Sequence, residues 1–276
     1  MNMSDVDKQL VRLKRADNLG LEISEKIKEW SQNNLDSKIV LAEDRRGWHL
    51  ELQVKREPPF DEWSMLFSDS IGQLRNALDN LVFSVLTPLA DTEDLPNSKL
   101  IKFPIVTKAQ HWKSARKGIK HIPEPYYSRI KQVQPFMRSD HESTGFLDGL
   151  EILQLLSNSD KHNLQIVPDI NTSDIQHDYS IEYATYKDAQ ISSPPQVEIL
   201  RPVFKDGSHL VRHQSKGKIK SVEGKFHIES RVIVNIEGIE VGITQILSEL
   251  WNYTAQIMIL IADLPHEEFQ AWAKSP

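Results

Sequence analysis

No cysteine occurs in the 276 residues. That absence removes disulfides, thiolate nucleophiles and cysteine-based zinc or iron–sulfur sites, and it suits a reducing cytosol. A global positive charge is missing too. The 33 Lys and Arg against 39 Asp and Glu leave a formal net charge of -6, so any nucleic-acid binding has to come from a local patch. Long apolar runs are absent. The longest, IMILIADL from Ile257 to Leu264, is far short of the roughly 20 residues that cross a bilayer, and reads as a buried helix. The start, MNMSDVDKQLVRLKRAD, places acids before bases and has no apolar centre, so it is not a secretory signal. Cytoplasmic location and no membrane partner are therefore expected. There is also no Gly-rich phosphate loop ending in Lys-Ser/Thr, no dinucleotide fingerprint, no HExxH and no Gly-x-Ser-x-Gly elbow. These gaps argue against the commonest ATPases, dehydrogenases, zinc proteases and serine hydrolases.

What is present is an ordinary globular composition, 39% hydrophobic and 26% charged, enough to bury a core and to set disorder aside. Ser4 followed by Asp7 resembles a capping arrangement. The apolar spacing from Val6 to Trp30 then predicts one helix over about 5–33. Alternation at Trp48, Leu50, Leu52 and Val54, with Arg46–Gly47 as a turning pair, predicts a β-hairpin over about 38–57. From Glu62 to Leu86 the residues Phe67, Ile71, Leu74, Leu78, Leu81 and Val85 form one apolar stripe, closed by Pro88. Shorter helices are expected at about 108–117, 123–134 and 145–163. From Gln165 to Ile236 the period changes to two, with Asp206–Gly207 and Glu223–Gly224 as hairpin turns, which predicts about four antiparallel strands. A last helix follows over about 240–263. The expected fold is α+β: mainly a helical bundle, with an N-terminal hairpin and an antiparallel sheet inserted before the C-terminal helix. Residues 1–163 and 238–276 would form the bundle, and 164–237 the β insertion.

Two segments carry chemistry. In LRNALDNL, Arg75 and Asp79 are four apart on a helix at the rim of its apolar stripe, where an ion pair is natural. In LLSNSDKHN, Asn158 and His162 are also four apart, at the end of an apolar helix. Charged and amide groups beside leucine-rich faces need partners. If the two helices meet, one cluster satisfies all four. Asp79 would orient and charge-stabilise His162 for proton transfer near neutral pH, Arg75 would offer a fork to a phosphate, and Asn158 would support the site. The plainer alternative is that the cluster locks two helices in register. His209 and His213 read as a pair of surface histidines sharing a strand face, and neither a metal nor a cofactor is expected. The lysines of KGKIKSVEGK, Lys216 to Lys225, read as a protected sheet edge, or as an RNA-contacting patch with RKGIKH (Arg116 to His121) as its companion.

The ordered set LRNALDNL, FPI (Phe103 to Ile105), QPF (Gln134 to Phe136) and LLSNSDKH resembles an uncharacterised bacterial family with the layout LRxALDHL, FPI, QPY and LxNxDKH. The resemblance covers roughly residues 5 to 165. More widely, Arg75–Asn76 is similar to the start of the motif in the HEPN superfamily of helical bundles, many of them ribonucleases in toxin and antiphage systems. Where those proteins carry a catalytic His, this chain has Asn80, an amide that cannot exchange protons as an imidazole does. Arg75 and Asn80, five apart, also diverge by about 140° around a helix unless a dimer brings two copies together. The resemblance implies a metal-independent ribonuclease acting on RNA; His162 in place of the missing base is a reading from the residues of this chain and not part of the HEPN pattern. The alternative from the residues is a non-catalytic protein-binding or assembly module. RNA, a protein partner and a second copy of the chain are the candidate partners.

Overall fold

The computed structural model describes residues 6–86, 101–138, 147–159, 166–192, 196–200 and 204–274. In chain order these form α1 (Asp7–Asn34), β1 (Leu35–Leu41), β2 (Gly47–Val54), α2 (Phe60–Leu86), α3 (Trp112–Ala115), α4 (Tyr126–Gln132) and α5 (Gly149–Ser159). They continue as β3 (Ile166–Tyr183), α6 (Tyr186–Ile191), β4 (Gln196–Ile199), β5 (His209–Gln214), β6 (Ile219–Ile236), β7 (Ile239–Gly242), α7 (Ile243–Ala262) and α8 (His266–Ala273). The fold is α+β. None of the described helices is long and apolar enough to cross a membrane.

The chain divides into two compact units. One comprises Met1–Ile23, Asp61–Gln165 and Val234–Pro276, the other Ser24–Phe60 and Ile166–Ile233. The hairpin, expected with the bundle, therefore groups with the later strands. The reason is backbone pairing: β2 pairs with β5 as well as with β1, giving a sheet of order β1-β2-β5-β4.

In the helical unit, the periodic positions Leu10, Leu13, Ala16, Leu19 and Ile23 of α1 and Phe67, Ile71, Leu74, Leu78 and Leu81 of α2 are buried. Polar side chains tie these helices to backbone as well. Ser70 Oγ donates to the Ala16 carbonyl at 3.0 Å, and Trp251 Nε1 of α7 donates to the Leu13 carbonyl at 2.9 Å. The expected stripe and span of α2 match the structure, and α5 lies within the span expected for it. The 108–117 segment is less regular: α3 is a single turn between two 3-10 turns. The capping Ser4 and the closing Pro88 lie outside the described residues. α8 was not anticipated.

In the β-rich unit, Trp48, Leu50 and Leu52 of β2 pack with Leu210, Val211 and Ile219, and Tyr179 and Phe226 from β3 and β6 complete the cluster. Burying Leu50 and Leu52 contributes about 1.5–3 kcal/mol each. The Trp48 and Tyr179 rings meet edge to face, centroids 5.1 Å apart, a favoured aromatic geometry.

Two local expectations about turns are corrected. The β1–β2 connection is made by residues 42–46, with Arg45 at φ 58, and Gly47 already belongs to β2. Glu223–Gly224 is not a turn but lies inside β6. A Cβ at Gly224 would come within 2.5 Å of the Tyr179 side chain and 2.7 Å of the Asp178 carbonyl, so glycine is needed there for a close strand approach. The actual turn out of β6 is Glu237–Gly238, with φ of 51 and 89, two consecutive left-handed residues as a two-residue hairpin demands. Asn235 Oδ1 accepts from the Gly238 N–H at 2.8 Å and fixes it.

The histidine pair is also corrected. Leu50 pairs with Val211 but Glu51 with His209, so the register slips by one residue at Leu210. A bulge of this kind re-aims the side chains on either side of it. His213 faces inward, 1% exposed and stacked on Trp48 at 5.5 Å, whereas His209 lies beside His49 at 3.8 Å. The two do not share a face.

Candidate functional site

The site begins with α2. Leu74, Ala77, Leu78 and Leu81 are fully buried, which leaves Arg75 and Asp79 at the rim, about one-fifth exposed, with Arg75 Nη2 3.1 Å from Asp79 Oδ1. The expected ion pair is therefore formed, and both members also reach the main chain of one residue. Arg75 Nη2 donates to the Phe103 carbonyl at 2.6 Å, and the Phe103 N–H donates to Asp79 Oδ1 at 2.8 Å. Burial pushes the Arg75 pKa down and the adjacent carboxylate holds it up; the guanidinium stays charged in either case.

The same extended segment is gripped at its other end. Gln134, fully buried, accepts from the Val106 N–H at 3.0 Å and donates to the Ile130 carbonyl at 2.9 Å. The Phe136 N–H donates to the Val106 carbonyl at 3.2 Å. Residues 103–106 belong to no helix or sheet, so their N–H and C=O groups need partners from elsewhere. LRNALDNL and QPF supply them. The three motifs thus describe one latch: a segment held by Arg75 and Asp79 at Phe103, and by Gln134 and Phe136 at Val106.

Beside the latch, α2 and α5 line one cleft of about 400 Å³ that includes Arg75, Asn76, Asp79, Lys102, Ser157 and Asn158. A neighbouring cleft of about 580 Å³ shares Ile105, Gln154 and Asn158 with it and adds His111 and Glu151. Three of the four expected site residues, Arg75, Asp79 and Asn158, are therefore brought together; His162 lies outside the described residues. Asn80 is not among the residues lining either cleft. Its carbonyl accepts from Gln9 Nε2 at 2.9 Å and from Ser84 Oγ at 3.0 Å, on the side of α2 that packs against α1.

Sequence reasoning missed several polar residues here. Burial raises the pKa of the Glu151 carboxyl, with Glu237 and Asp148 adding to the effect. Asp148, 3% exposed, pairs with Arg138 at 2.8 Å and accepts from the Leu150 N–H at 2.8 Å, capping α5. The Tyr253 hydroxyl donates to the same carboxylate, and Arg138 donates to that hydroxyl. Only the Asp-Gly step before an apolar run signals the cap in the sequence; the Arg and Tyr partners carry no local signal. In the other unit, Lys220 of the lysine-rich stretch pairs with Glu182 at 2.6 Å on the surface. Among the described residues, one group has the spacing of metal ligands: His49, Glu51 and His209.

Comparisons with family models, with curated proteins and with solved structures find no match.

Proposed function

We propose that this chain is a non-catalytic binding or assembly module that recruits a protein partner in the cytoplasm, with Arg75 and Asp79 serving architecture. The observation that carries this reading is the use of both side chains on the Phe103 main chain. A guanidinium and a carboxylate committed to a buried backbone pair are poor choices for groups that must engage a substrate and move through a reaction. Asn80, in place of the HEPN imidazole, supports the same reading from the chemistry of its side chain.

A second reading is favoured by one observation, the cleft that Arg75, Asp79 and Asn158 share. It is a HEPN-like, metal-independent ribonuclease of a toxin or defence system, active as a monomer or homodimer. Arg75 would bind phosphate, His162 would exchange protons, Asp79 would orient it and Asn158 would support the site. Incubating purified protein with mixed cellular RNA in the absence of metal, alongside Arg75→Ala and His162→Ala variants checked by circular dichroism, separates the two. The module reading expects no cleavage by any of the three and a lower Tm for Arg75→Ala. Cleavage by the wild type that both folded variants lose would overturn it.

A further inference from the structure

We propose that the β1-β2-β5-β4 sheet carries a binding site for a divalent transition cation of the zinc class, held by His49 and Glu51 of β2 and His209 of β5. Residues two apart on a strand share a face, which puts His49 and Glu51 together. They stand opposite the core residues Trp48, Leu50 and Leu52. His209 joins them because the slip at Leu210 sets it opposite Glu51 while His213 turns inward against Trp48. One ligand atom from each of the three lies within 4.8 Å of the others. His49 Nε2 is 3.9 Å from Glu51 Oε2, and the two imidazole rings are 3.8 Å apart.

Ligand atoms bound to one zinc ion at about 2.0–2.2 Å stand roughly 3.3–3.5 Å from each other, so modest side-chain rotation closes the set. All three residues are half-buried, which restricts their rotamers. Two imidazoles and a carboxylate suit Zn²⁺, Co²⁺, Ni²⁺ or Cu²⁺, and not Mg²⁺ or Ca²⁺, which take oxygen donors. Three protein ligands leave a coordination position for water or for a donor from a partner. The opposing charges are Arg212, in register with His49, and Lys38, in register with Glu51. Arg212 is offset by Glu198, 3.7 Å away, and Lys38 is exposed on β1.

The test is calorimetric titration of tag-free, chelator-stripped protein with Zn²⁺, and separately with Mg²⁺. One Zn²⁺ bound per chain and no Mg²⁺ bound are expected. His49→Ala and His209→Ala should each weaken Zn²⁺ binding by more than about tenfold, since even outer-sphere partners of a metal ligand are worth about 10–100-fold. His266→Ala, on an exposed helix, should leave the affinity unchanged. A second measurement needs no variant: Zn²⁺ should protect His49 and His209 of the wild-type chain from modification by diethylpyrocarbonate, read by mass spectrometry. Absence of Zn²⁺ binding, or protection of other histidines in place of these two, overturns the site.

Discussion

In the helical unit, five polar side chains below the surface are tied to partners: Arg75 and Asp79 to Phe103, Gln134 to Val106 and Ile130, and Arg138 and Asp148 to each other. In the β-rich unit, His213 is as deeply buried, yet neither ring nitrogen has a hydrogen-bond partner among the described residues, and the Trp48 indole N–H beside it has none either. The difference follows from backbone bookkeeping. Within the β2–β5 ladder the main chain satisfies itself, so the inward His213 finds no carbonyl or N–H that needs it. A helical unit crossed by an irregular segment has such groups to spare, and polar side chains gain stability by meeting them. Buried polarity is thus structural at the latch and at the α5 cap and tolerated beside Trp48, where stacking is what His213 obtains.

The sharpest way to break this contrast is Asp148→Ala. It removes a helix cap and leaves Arg138 without its partner in a half-buried site, and the expected loss is about 3–5 kcal/mol in urea denaturation. A loss below about 1 kcal/mol would mean that the polar groups of the helical unit are no more consequential than surface ones. Next in size is the latch. Arg75→Ala and Asp79→Ala should each cost about 1–3 kcal/mol by stranding a Phe103 backbone group. Their double mutant should fall short of additivity by about 0.5–3 kcal/mol because they share that residue. Strict additivity would show that the two side chains act separately.

The smallest effect belongs to His213, and it depends on pH. Burial holds the pKa of its imidazole below the ordinary 6.5, so as pH falls through about 6.5 the unfolded chain takes up the proton before the folded one does. Stability present above that pH is lost on acidification until the folded value is reached, and levels off below it. His213→Phe keeps an aromatic ring against Trp48 and removes the titration. The difference in unfolding free energy between variant and wild type should shift toward the variant between pH 7 and pH 5. A difference that stays flat would place His213 in a hydrated environment and dissolve the contrast.

The sequence made the helices legible where periodicity was long. The spans of α1 and α2 and the buried stripe of α2 follow from three- and four-residue spacing that no short-range feature contradicts. Pairings across distance were not legible. Nothing near Trp48 announces that β2 will pair with a strand 165 residues later, Trp48 against His213, and a Glu-Gly step reads alike whether it turns the chain or lets Tyr179 approach. The site was legible in the same measure. Arg75 and Asp79 lie on one helix, so their ion pair follows from spacing; their common target, Phe103, lies 28 and 24 residues away in a segment with no periodicity. The His49, Glu51 and His209 set depends on a one-residue slip in register, which alternation patterns do not encode.

The latch on residues 103–106 has a consequence for how this protein can diversify. What Arg75, Asp79 and Gln134 hold is main chain, which every amino acid except proline supplies in the same form. Ile105, between the held positions, lines both clefts, and Lys102 and Thr107 flank them on either side. Substitution at these three positions changes what the clefts present without touching the hydrogen bonds that set their path. The frame is set by main chain and the lining by side chains, so what the clefts present can change while the motifs stay intact.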